Sequence, residues 1–462
     1  MKEYTMYTIV VWKEIERNET MKKVNENNKL AIQMLVAMVS GILVGLVFMA
    51  IRENVGAESA LWGALNSLLF QNISAAGGES ALGLFYIGGQ LFIRSLQLVI
   101  VPMVFSSVVM AICEVNEART LGRIAGKTIG WFMMPTTIAL VLGGTIALTC
   151  FNMGMFHVEV EGLAGSTGSN PLLVILNIIP SNIGATFSVN NSVLAVVFLA
   201  VVVGLGINTL NLGKECVIYR LCEEISKIIV VFLNFVVKKF GPVAIFMLLS
   251  NTFATYGIDY LKPAAAYVVL TVILLLVYLF VGYPLYVALV VKQNPFIFIK
   301  KIFKVIVFGF STSSSAATLP LNQDTTTKEL GVDPQIASFV LPLGITINMD
   351  GTAMMQVVAT LFVAGCGSYD VTAFQLVIIM VLALIASMGT PAAPGAGAVI
   401  LFTILSGMGF TGDQALIAYS LILAINRPIE MLVTSLYVTG DSVTAMAVAK
   451  SEGKLDADIF NK

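Results

Sequence analysis

The chain has 462 residues, of which 57% are hydrophobic and only 11% are charged. Soluble domains carry about 25% charged residues, so this composition, with a mean hydropathy of +0.90, excludes a soluble globular protein and indicates an integral membrane protein. The formal net charge of −1 gives no reason to expect a nucleic-acid partner. The single histidine, His157, argues against histidine-dependent catalysis and against a multi-histidine metal site.

The five cysteines lie in or beside apolar runs, and no pair has C-x-x-C spacing. We interpret them as small buried hydrophobic residues rather than as metal ligands or disulfide partners. They are Cys113, Cys150, Cys216, Cys222 and Cys366.

Residues 1–29 are polar and lack the order of charged, apolar and small residues that marks a cleaved signal. The stretch from Met21 onward is typical of the start of a bacterial membrane protein, with a short basic head followed by a span. We therefore expect the residues before Met21 to be a disordered extension or the product of an upstream misassigned start.

Long apolar runs follow, and roughly 20 residues are needed to cross a hydrocarbon core about 30 Å thick. We expect helices, because lipid leaves no partner for an exposed backbone and the alternation of barrel strands is absent. Lysine and arginine concentrate in alternate connections, which places the N-terminus in the cytoplasm. This pattern predicts six spans before residue 292, near 30–51, 87–113, 124–150, 193–212, 226–255 and 264–291. The fifth span contains two charged residues, Lys238 and Lys239, beside Gly241-Pro242. A kink or a position that faces protein is the only explanation that the sequence offers for them.

After Lys304 the apolar stretches become short and are interrupted by small polar residues. Two similar units follow, each a hairpin-like break and then a discontinuous helix, which predicts an internal repeat. Such interruptions in matching positions of two halves indicate a transporter site near the middle of the bilayer. In chain order the four segments are GFSTSSSAATLP, a helix with NMDGT, SMGTPAAPGAG, and a helix with NRPIEMLVTSLYVTGD.

The hydroxyl-rich run Ser311–Pro320 is predicted to form the tip of a re-entrant hairpin, where amides and hydroxyls face an anion. The alternative is a helix-packing face of small residues.

In the next segment, Gly351 is expected to loosen the helix after Asp350, so that nearby carbonyls and side chains bind a hard cation. A bound cation would offset the cost of burying Asp350 and Asp441; the alternative is a structural hydrogen-bond network.

The third segment, Ser387–Gly397, contains Gly389, Pro391, Pro394 and Gly395 and suits a moving gate, with a surface loop as the alternative. The last helix carries polar residues at steps of three and four, which places them on one stripe of an apolar helix. Ionisable residues on such a stripe support the hypothesis that it forms a functional site. The polar residues of this stripe are Arg427, Glu430, Thr434, Tyr437 and Asp441.

Together these segments resemble the glutamate transporter family, the sodium-coupled dicarboxylate and amino-acid symporters that include the excitatory amino-acid transporters. The resemblance runs from about Leu30 to Lys450. It implies an all-α polytopic membrane protein with eight transmembrane helices, two re-entrant helical hairpins and an inverted repeat. It also implies a homotrimer and an elevator motion of a transport domain against a scaffold.

The resemblance divides the chain into successive segments. They are a polar extension (1–29), scaffold helices 1 and 2 (30–113), transport-domain helix 3 (114–150), scaffold helices 4 and 5 (151–255), helix 6 (256–291), hairpin 1 (292–334), discontinuous helix 7 (335–366), hairpin 2 (367–410), helix 8 (411–450) and a tail (451–462).

The resemblance also implies three sodium sites. One uses carbonyls of Gly344, Asn348 and Tyr437 with the carboxylate of Asp441. A second uses Thr346 and Met349 with carbonyls of Ser387, Met388 and Thr390. A third keeps Asn348 and Asp350 but is degenerate, because the remaining positions are Phe132, Pro135 and Thr136.

The implied substrate site departs from the pattern for acidic substrates, because Val433 replaces the family's arginine and Tyr437 replaces its asparagine. Without that arginine an acidic side chain would be buried unpaired, at a cost of about 3–5 kcal/mol. The implied substrate-binding residues are Ser313, Ser314, Ser315, Thr352, Pro394, Gly395, Ala396, Gly397, Glu430, Val433, Thr434 and Tyr437.

We therefore expect a sodium-coupled symporter in the plasma membrane of a prokaryote, with both termini cytoplasmic and a neutral amino acid as substrate. The alternative is an acidic amino acid or dicarboxylate held by Arg427 and coupled to sodium or protons. An intramembrane enzyme or a channel is disfavoured, since no nucleophile and base pair is recognisable and a channel needs no broken repeat. No cofactor is expected beyond sodium as the coupling ion.

Overall fold

The computed structural model describes residues 29–30, 32–74, 78–120, 123–158, 176, 178–188, 193–388, 390 and 395–462. Within these ranges every regular element is a helix, and the only β pairing is one isolated bridge. This confirms the all-helical prediction. The predicted N-terminal extension lies outside the described residues, apart from Lys29.

The first half of the chain forms separate helices that carry many exposed large apolar side chains, as expected of surfaces that face lipid. The sequence did not predict the second helix, which is capped by Ser59: its Oγ accepts a hydrogen bond of 3.1 Å from the Trp62 amide. The helices are α1 (Ile32–Val55), α2 (Ala60–Leu69), α3 (Leu84–Leu98), α4 (Ile100–Thr120), α5 (Arg123–Asn152), α6 (Ile183–Ser188) and α7 (Val193–Thr209).

Seven helices in the described ranges are long and apolar enough to cross a membrane, which identifies an integral membrane protein. The fourth predicted span is not among them. The described part of its helix, α7, has 17 residues, fewer than the roughly 20 that a span needs, and the chain turns at Asn211, whose φ is +52°. The seven are Ile32–Val55, Leu84–Cys113, Gly126–Asn152, Val217–Tyr256, Leu261–Val291, Pro334–Cys366 and Arg427–Ser451.

The fifth span contains a π-helical turn that accounts for its two lysines. Helix α8 (Val217–Phe235) passes through the π turn Val236–Phe240 into α9 (Gly241–Tyr256). The amide of Gly241 donates to the carbonyl of Val236, five residues back. Pro242 follows, and a proline inside a helix has no N–H to donate. The wider turn leaves Lys238 and Lys239 exposed, so they are not protein-facing in this chain.

The sixth span also contains π turns, and one of them orients two tyrosines. Helix α10 (Leu261–Val277) is followed by the π turn Tyr278–Gly282 and by α11 (Tyr283–Tyr286). The amide of Tyr283 donates to the carbonyl of Tyr278, so these residues lie one above the other instead of on different faces. Their rings pack edge to face with centroids 5.1 Å apart.

The second half contains two helical hairpins, each followed by a broken helix. The first broken helix is interrupted at Asn348 and Met349, and the second at Asn426. The elements are α12 (Pro295–Thr312), α13 (Ser315–Lys328), α14 (Pro334–Ile347), α15 (Asp350–Cys366), α16 (Ala373–Met388), α17 (Ala396–Gly407), α18 (Asp413–Ile425) and α19 (Arg427–Ser451). We call α12–α13 hairpin 1 and α16–α17 hairpin 2.

Two helices form the centre of the structure. Every residue of α15 is buried, and α15 packs against α5, α10, α16 and α18. Helix α19 is almost as deeply buried and packs against α12, α13 and α14. A helix buried on all sides lies inside the protein rather than at its surface, so polar residues on α15 and α19 face other protein groups.

The C-terminal segment folds back onto the base of hairpin 1. It ends in the short helix α20 (Ala457–Asn461). The ammonium of Lys301 donates to the carbonyl of Phe460 at 2.7 Å and lies 5.5 Å from the centroid of its ring. The amide of Asp456 donates to the carbonyl of Gly331 at 2.8 Å. The last residues are therefore part of the packing of hairpin 1.

Candidate substrate and ion site

The serine-rich segment forms the tip of hairpin 1. Helix α12 ends at Thr312, and Ser313 reverses the chain with a φ of +48°. The Oγ of Ser314 then caps α13 by accepting a hydrogen bond of 3.2 Å from the amide of Ala317. The positive end of the α13 dipole is therefore at the tip, where an anionic group is stabilised.

A cavity of about 50 Å³ lies between this tip, hairpin 2, the break before α15 and the first turns of α19. It has room for a handful of water molecules, so a substrate needs more space than this conformation provides. Its lining consists of Ser313, Ser314, Ser315, Met349, Thr352, Met355, Thr390, Gly395, Gly397, Arg427, Glu430, Val433, Thr434 and Tyr437.

The lining contains all the predicted substrate residues except Pro394 and Ala396. Pro394 lies outside the described residues, as do Gly389 and Pro391. Ala396 is fully buried at the start of α17 and does not line the cavity. Sequence reasoning missed Met355, whose side chain is typical of an ordinary core residue, and placed Met349 and Thr390 only in a sodium site.

The charged groups of the cavity are Arg427 and Glu430, one turn apart at the start of α19. The Nη1 atom of Arg427 lies 3.4 Å from Oε2 of Glu430, and the two side chains are only 7% and 14% exposed. Oε2 also accepts a hydrogen bond of 3.0 Å from the amide of Gly395 in hairpin 2. Glu430 therefore connects α19 to the start of α17.

The guanidinium of Arg427 is incompletely paired. Its Nε and Nη2 atoms are buried and have no hydrogen-bond partner in the part of the chain that the structure describes. Leaving buried donors unpaired costs about 1–3 kcal/mol each, and more for a charged group. Because the residue lines the cavity, these donors are available to a bound carboxylate.

The apolar side of the cavity is formed by Val433, which is 3% exposed. A Cβ at Gly351 would lie 3.3 Å from Cγ1 of Val433 and 3.1 Å from Cδ2 of Leu436. The prediction that Gly351 loosens the helix after Asp350 is wrong, because α15 begins at Asp350 and includes Gly351. The glycine lies instead where α19 approaches α15 closely.

The first predicted sodium site is compact. The side-chain amide of Asn348 donates to Oδ1 of Asp441 at 2.9 Å and to the carbonyl of Tyr437 at 3.1 Å. The amide N–H of Asn348 donates to the carbonyl of Gly344 at 2.9 Å. The structure therefore brings the four predicted ligands together around a buried carboxylate.

The residues of the second predicted site come from α14, from the break before α15 and from the end of α16. Met349 and Thr390 line the same cavity, and the amide of Thr390 donates to the carbonyl of Ser387 at 2.9 Å. The hydroxyl of Thr346 donates within its own helix, to the carbonyl of Leu343 at 3.0 Å. Met388 is the last residue of α16.

The positions predicted for a degenerate third site carry hydrogen bonds within the protein. The hydroxyl of Thr136 donates to the carbonyl of Phe132 at 3.0 Å, and the hydroxyl of Tyr278 donates to the carbonyl of Pro135 at 2.7 Å. Asp350 accepts from the hydroxyl of Tyr283. Sequence reasoning did not single out either tyrosine, since both lie in an apolar run.

Further hydrogen bonds connect these groups to the hairpins. The hydroxyls of Thr352 and Tyr437 are hydrogen-bonded to each other, and the side-chain amide of Gln356 donates to the carbonyl of Gly397 at 3.0 Å. Thr352 and Gln356 are four residues apart on α15, a spacing that places them on one face. That spacing of polar residues in an apolar helix is a signal that sequence reasoning missed.

The sequence model of the sodium:dicarboxylate symporter family matches residues 30–451. The chain belongs to this family. This confirms the resemblance to the glutamate transporters. Membership of the sodium:dicarboxylate symporter family makes the protein a transporter rather than an enzyme.

Curated relatives cover most of the chain. A proton/glutamate-aspartate symporter of Escherichia coli (strain K12) is 28% identical over 440 residues, which cover 92% of this chain and 94% of the relative. A proton/sodium-glutamate symport protein of Bacillus caldotenax is 27% identical, covering 80% and 88%. An excitatory amino acid transporter of Caenorhabditis elegans is 26% identical, covering 87% and 88%.

Proposed function

We propose that this member of the family is a sodium-coupled symporter for an acidic amino acid or a small dicarboxylate. The observation that carries the proposal is the guanidinium of Arg427, which lines the cavity with two buried donors that have no partner among the described residues. The names of the relatives, which include glutamate and aspartate, support this acidic alternative over the neutral amino acid that Val433 suggested.

The three polar parts of the cavity complement the groups of an acidic amino acid. The free edge of the Arg427 guanidinium can hold one carboxylate with two hydrogen bonds. Glu430 can accept a hydrogen bond from the ammonium group. The tip of hairpin 1, with Ser314 at the start of α13, can bind the other carboxylate at a helix N-terminus.

A neutral amino acid is the second candidate, and the observation that favours it is Val433. Its buried side chain lies on the cavity wall between Glu430 and Tyr437, and an apolar wall suits an uncharged side chain. In that case Arg427 would bind the α-carboxylate, and the serines of hairpin 1 would contact the rest of the substrate. The two candidates differ in whether a second carboxylate increases or decreases affinity.

Coupling is proposed to occur at the first two sodium sites. Asn348 and Asp441 contribute to the first, and Met349 and Thr390, at the cavity, contribute to the second. A cation beside Asp441 would stabilise a carboxylate that is only 2% exposed.

Because the cavity is small, hairpin 2 is proposed to move when substrate enters. Gly395, which has a φ of +84°, is its proposed flexible point. The proposal also includes an elevator motion and a homotrimer. It places the protein in a prokaryotic plasma membrane with both termini in the cytoplasm.

Uptake into proteoliposomes under a sodium gradient tests the proposal. Uptake of radiolabelled aspartate and uptake of radiolabelled serine are measured separately, and each is competed with unlabelled glutamate, succinate, serine and alanine. We expect the acids to compete best and uptake to stop when the gradient is dissipated. Strong competition by serine and alanine with none by the acids would favour the neutral candidate.

Arg427→Gln tests the proposed carboxylate ligand. Losing one partner of a buried charged pair costs about 3–5 kcal/mol, so affinity for aspartate should fall by about a hundredfold or more. Arg427→Lys keeps the charge but not the planar fork and should recover only part of the affinity. The control is Arg220→Gln, because Arg220 is 61% exposed and lies in α8, outside the cavity.

A further inference from the structure

The third sodium site implied by the family resemblance does not fit the groups in this chain. Phe132 and Pro135 offer no side-chain oxygen, while a hard cation needs several oxygen ligands. The main-chain oxygens at both positions already accept hydrogen bonds, from Thr136 and Tyr278 respectively. Phe132 is 1% exposed, so its ring occupies space inside the protein rather than at its surface.

We infer that two tyrosines of the sixth span replace the third ion. The hydroxyl of Tyr283 donates to Oδ2 of Asp350, and the amide of Gly351 donates to Oδ1 at 2.8 Å. Each carboxylate oxygen therefore has a donor from the protein. The hydroxyl of Tyr278 donates to the carbonyl of Pro135, one of the positions that the resemblance assigns to the third site.

The backbone keeps both hydroxyls in place. The π turn Tyr278–Gly282 aligns the two tyrosines, whose rings pack edge to face. Both rings are buried, at 5% and 1% exposure. Gly440 on α19 makes room for the second ring, since a Cβ there would lie 2.9 Å from Cζ of Tyr283.

The neighbouring groups reduce the space further. A Cβ at Gly344 would lie 3.0 Å from Cζ of Phe132, so this ring reaches the helix that carries the first sodium site. Asn348, which the resemblance shares between two sites, donates its side-chain amide to Asp441 and to the carbonyl of Tyr437. Asn348 thus belongs to the first site.

It follows that transport uses the first two sodium sites and no third ion. Asp350 is a hydrogen-bond acceptor that positions the sixth span against α15, and the tyrosine pair sets the number of coupled ions. This inference rests on the proposed sodium-coupled function, because it concerns the stoichiometry of that coupling.

The reversal potential of substrate current in proteoliposomes counts the charges moved per substrate and does not depend on the rate of transport. With the sodium and aspartate gradients fixed, we expect the wild-type value to match two sodium ions, which carry one net positive charge with each aspartate. A value that matches three overturns the inference and leaves the substrate proposal intact. If only a neutral amino acid is carried, the same measurement with that amino acid still counts the ions.

A variant tests whether the tyrosine prevents ion binding. Tyr283→Phe combined with Phe132→Tyr and Pro135→Thr removes the hydroxyl that binds Asp350 and adds two side-chain oxygens. We expect this triple variant to shift the reversal potential to the three-ion value and to steepen the sodium dependence of uptake. A folded, active triple variant that keeps the wild-type value would show that the tyrosine does not replace an ion.

Tyr286→Phe is the matched control. Its hydroxyl is buried and has no hydrogen-bond partner in the described part of the chain, and it lies three residues further along the same span. Removing it should leave the reversal potential unchanged. A shift in this control equal to that of the triple variant would overturn the assignment to Tyr283. If the triple variant does not fold, the wild-type stoichiometry alone decides the inference.

Discussion

Gly440→Ala tests the packing around the ion sites. Gly440 lies inside α19, where replacing glycine with alanine stabilises an exposed helix by about 1 kcal/mol. Here a Cβ would lie 2.7 Å from Nδ2 of Asn348 and 2.9 Å from Cζ of Tyr283. Overpacking costs about 1–3 kcal/mol, and displacing a buried hydrogen-bonded group adds about 1–3 kcal/mol. The net expectation is a destabilisation of about 1 to 5 kcal/mol.

The variant should also bind sodium more weakly, because Asn348 holds the carboxylate of Asp441. A loss of about 1.4 kcal/mol in ion binding raises the half-saturating sodium concentration tenfold. The assays are thermal unfolding of the purified protein and the sodium dependence of uptake in proteoliposomes. Both should change in the same variant.

Gly130→Ala is the control, because Gly130 is an exposed helical glycine with no heavy atom within 4 Å of a Cβ placed there. Only the gain in helix propensity remains at this position, so the melting temperature should rise slightly and the sodium dependence should not change. If Gly440→Ala behaves like Gly130→Ala, the close approach of α19 to Asn348 and Tyr283 is refuted.

Three further substitutions test the site. Asp441→Asn removes the charge of the first sodium site but keeps its shape, so sodium-coupled uptake should be abolished; a normal sodium affinity, measured by sodium-dependent thermal stabilisation, would contradict the assignment. Val433→Arg places a second cation on the apolar wall, so competition assays should show higher affinity for aspartate relative to serine; an unchanged ratio would mean that Val433 does not contact the substrate. Ala396→Cys introduces a thiol at a fully buried position. This thiol should react with a polar thiol reagent only when hairpin 2 opens, and the reaction should be slower with substrate and sodium present. Equal reaction rates with and without substrate and sodium would contradict the proposed gate.

The sequence predicted the interruptions of the second half because each is visible as a polar or Gly/Pro-rich break in an apolar run. Asn348 and the hydroxyl-rich tip at Ser313 are examples, since such groups are too costly to face lipid. Their approximate locations followed from composition and spacing. Which groups each of them contacts depends on the packing of helices that are distant in sequence.

The roles of the glycines and the tyrosines were not predictable. Gly351 follows Asp350 in the sequence, which indicates a point of flexibility, whereas in the structure Gly351 lies in close contact with α19. Tyr278 and Tyr283 are five residues apart, and an α-helix would place them on different faces. Only the π turn aligns them, and no pattern in the apolar run indicated that turn.

Arg427 is an intermediate case. The spacing placed it on the polar stripe with Glu430, and the alternative prediction assigned it to a substrate carboxylate. The sequence did not show that the second broken helix is interrupted at Asn426, directly before it. That interruption puts the arginine in the first turn of α19, beside hairpin 2, with two of its donors left for a ligand.

The contact between the C-terminal segment and hairpin 1 has a consequence for the order of assembly during synthesis. The carbonyl of Gly331 receives its hydrogen bond from Asp456, and Lys301 reaches the carbonyl of Phe460, near the end of the chain. A ribosome releases these last residues well after hairpin 1 has been made. Hairpin 1 therefore lacks these contacts until Asp456 and Phe460 have been synthesised and have left the ribosome, so this part of the fold is completed later than the hairpin itself.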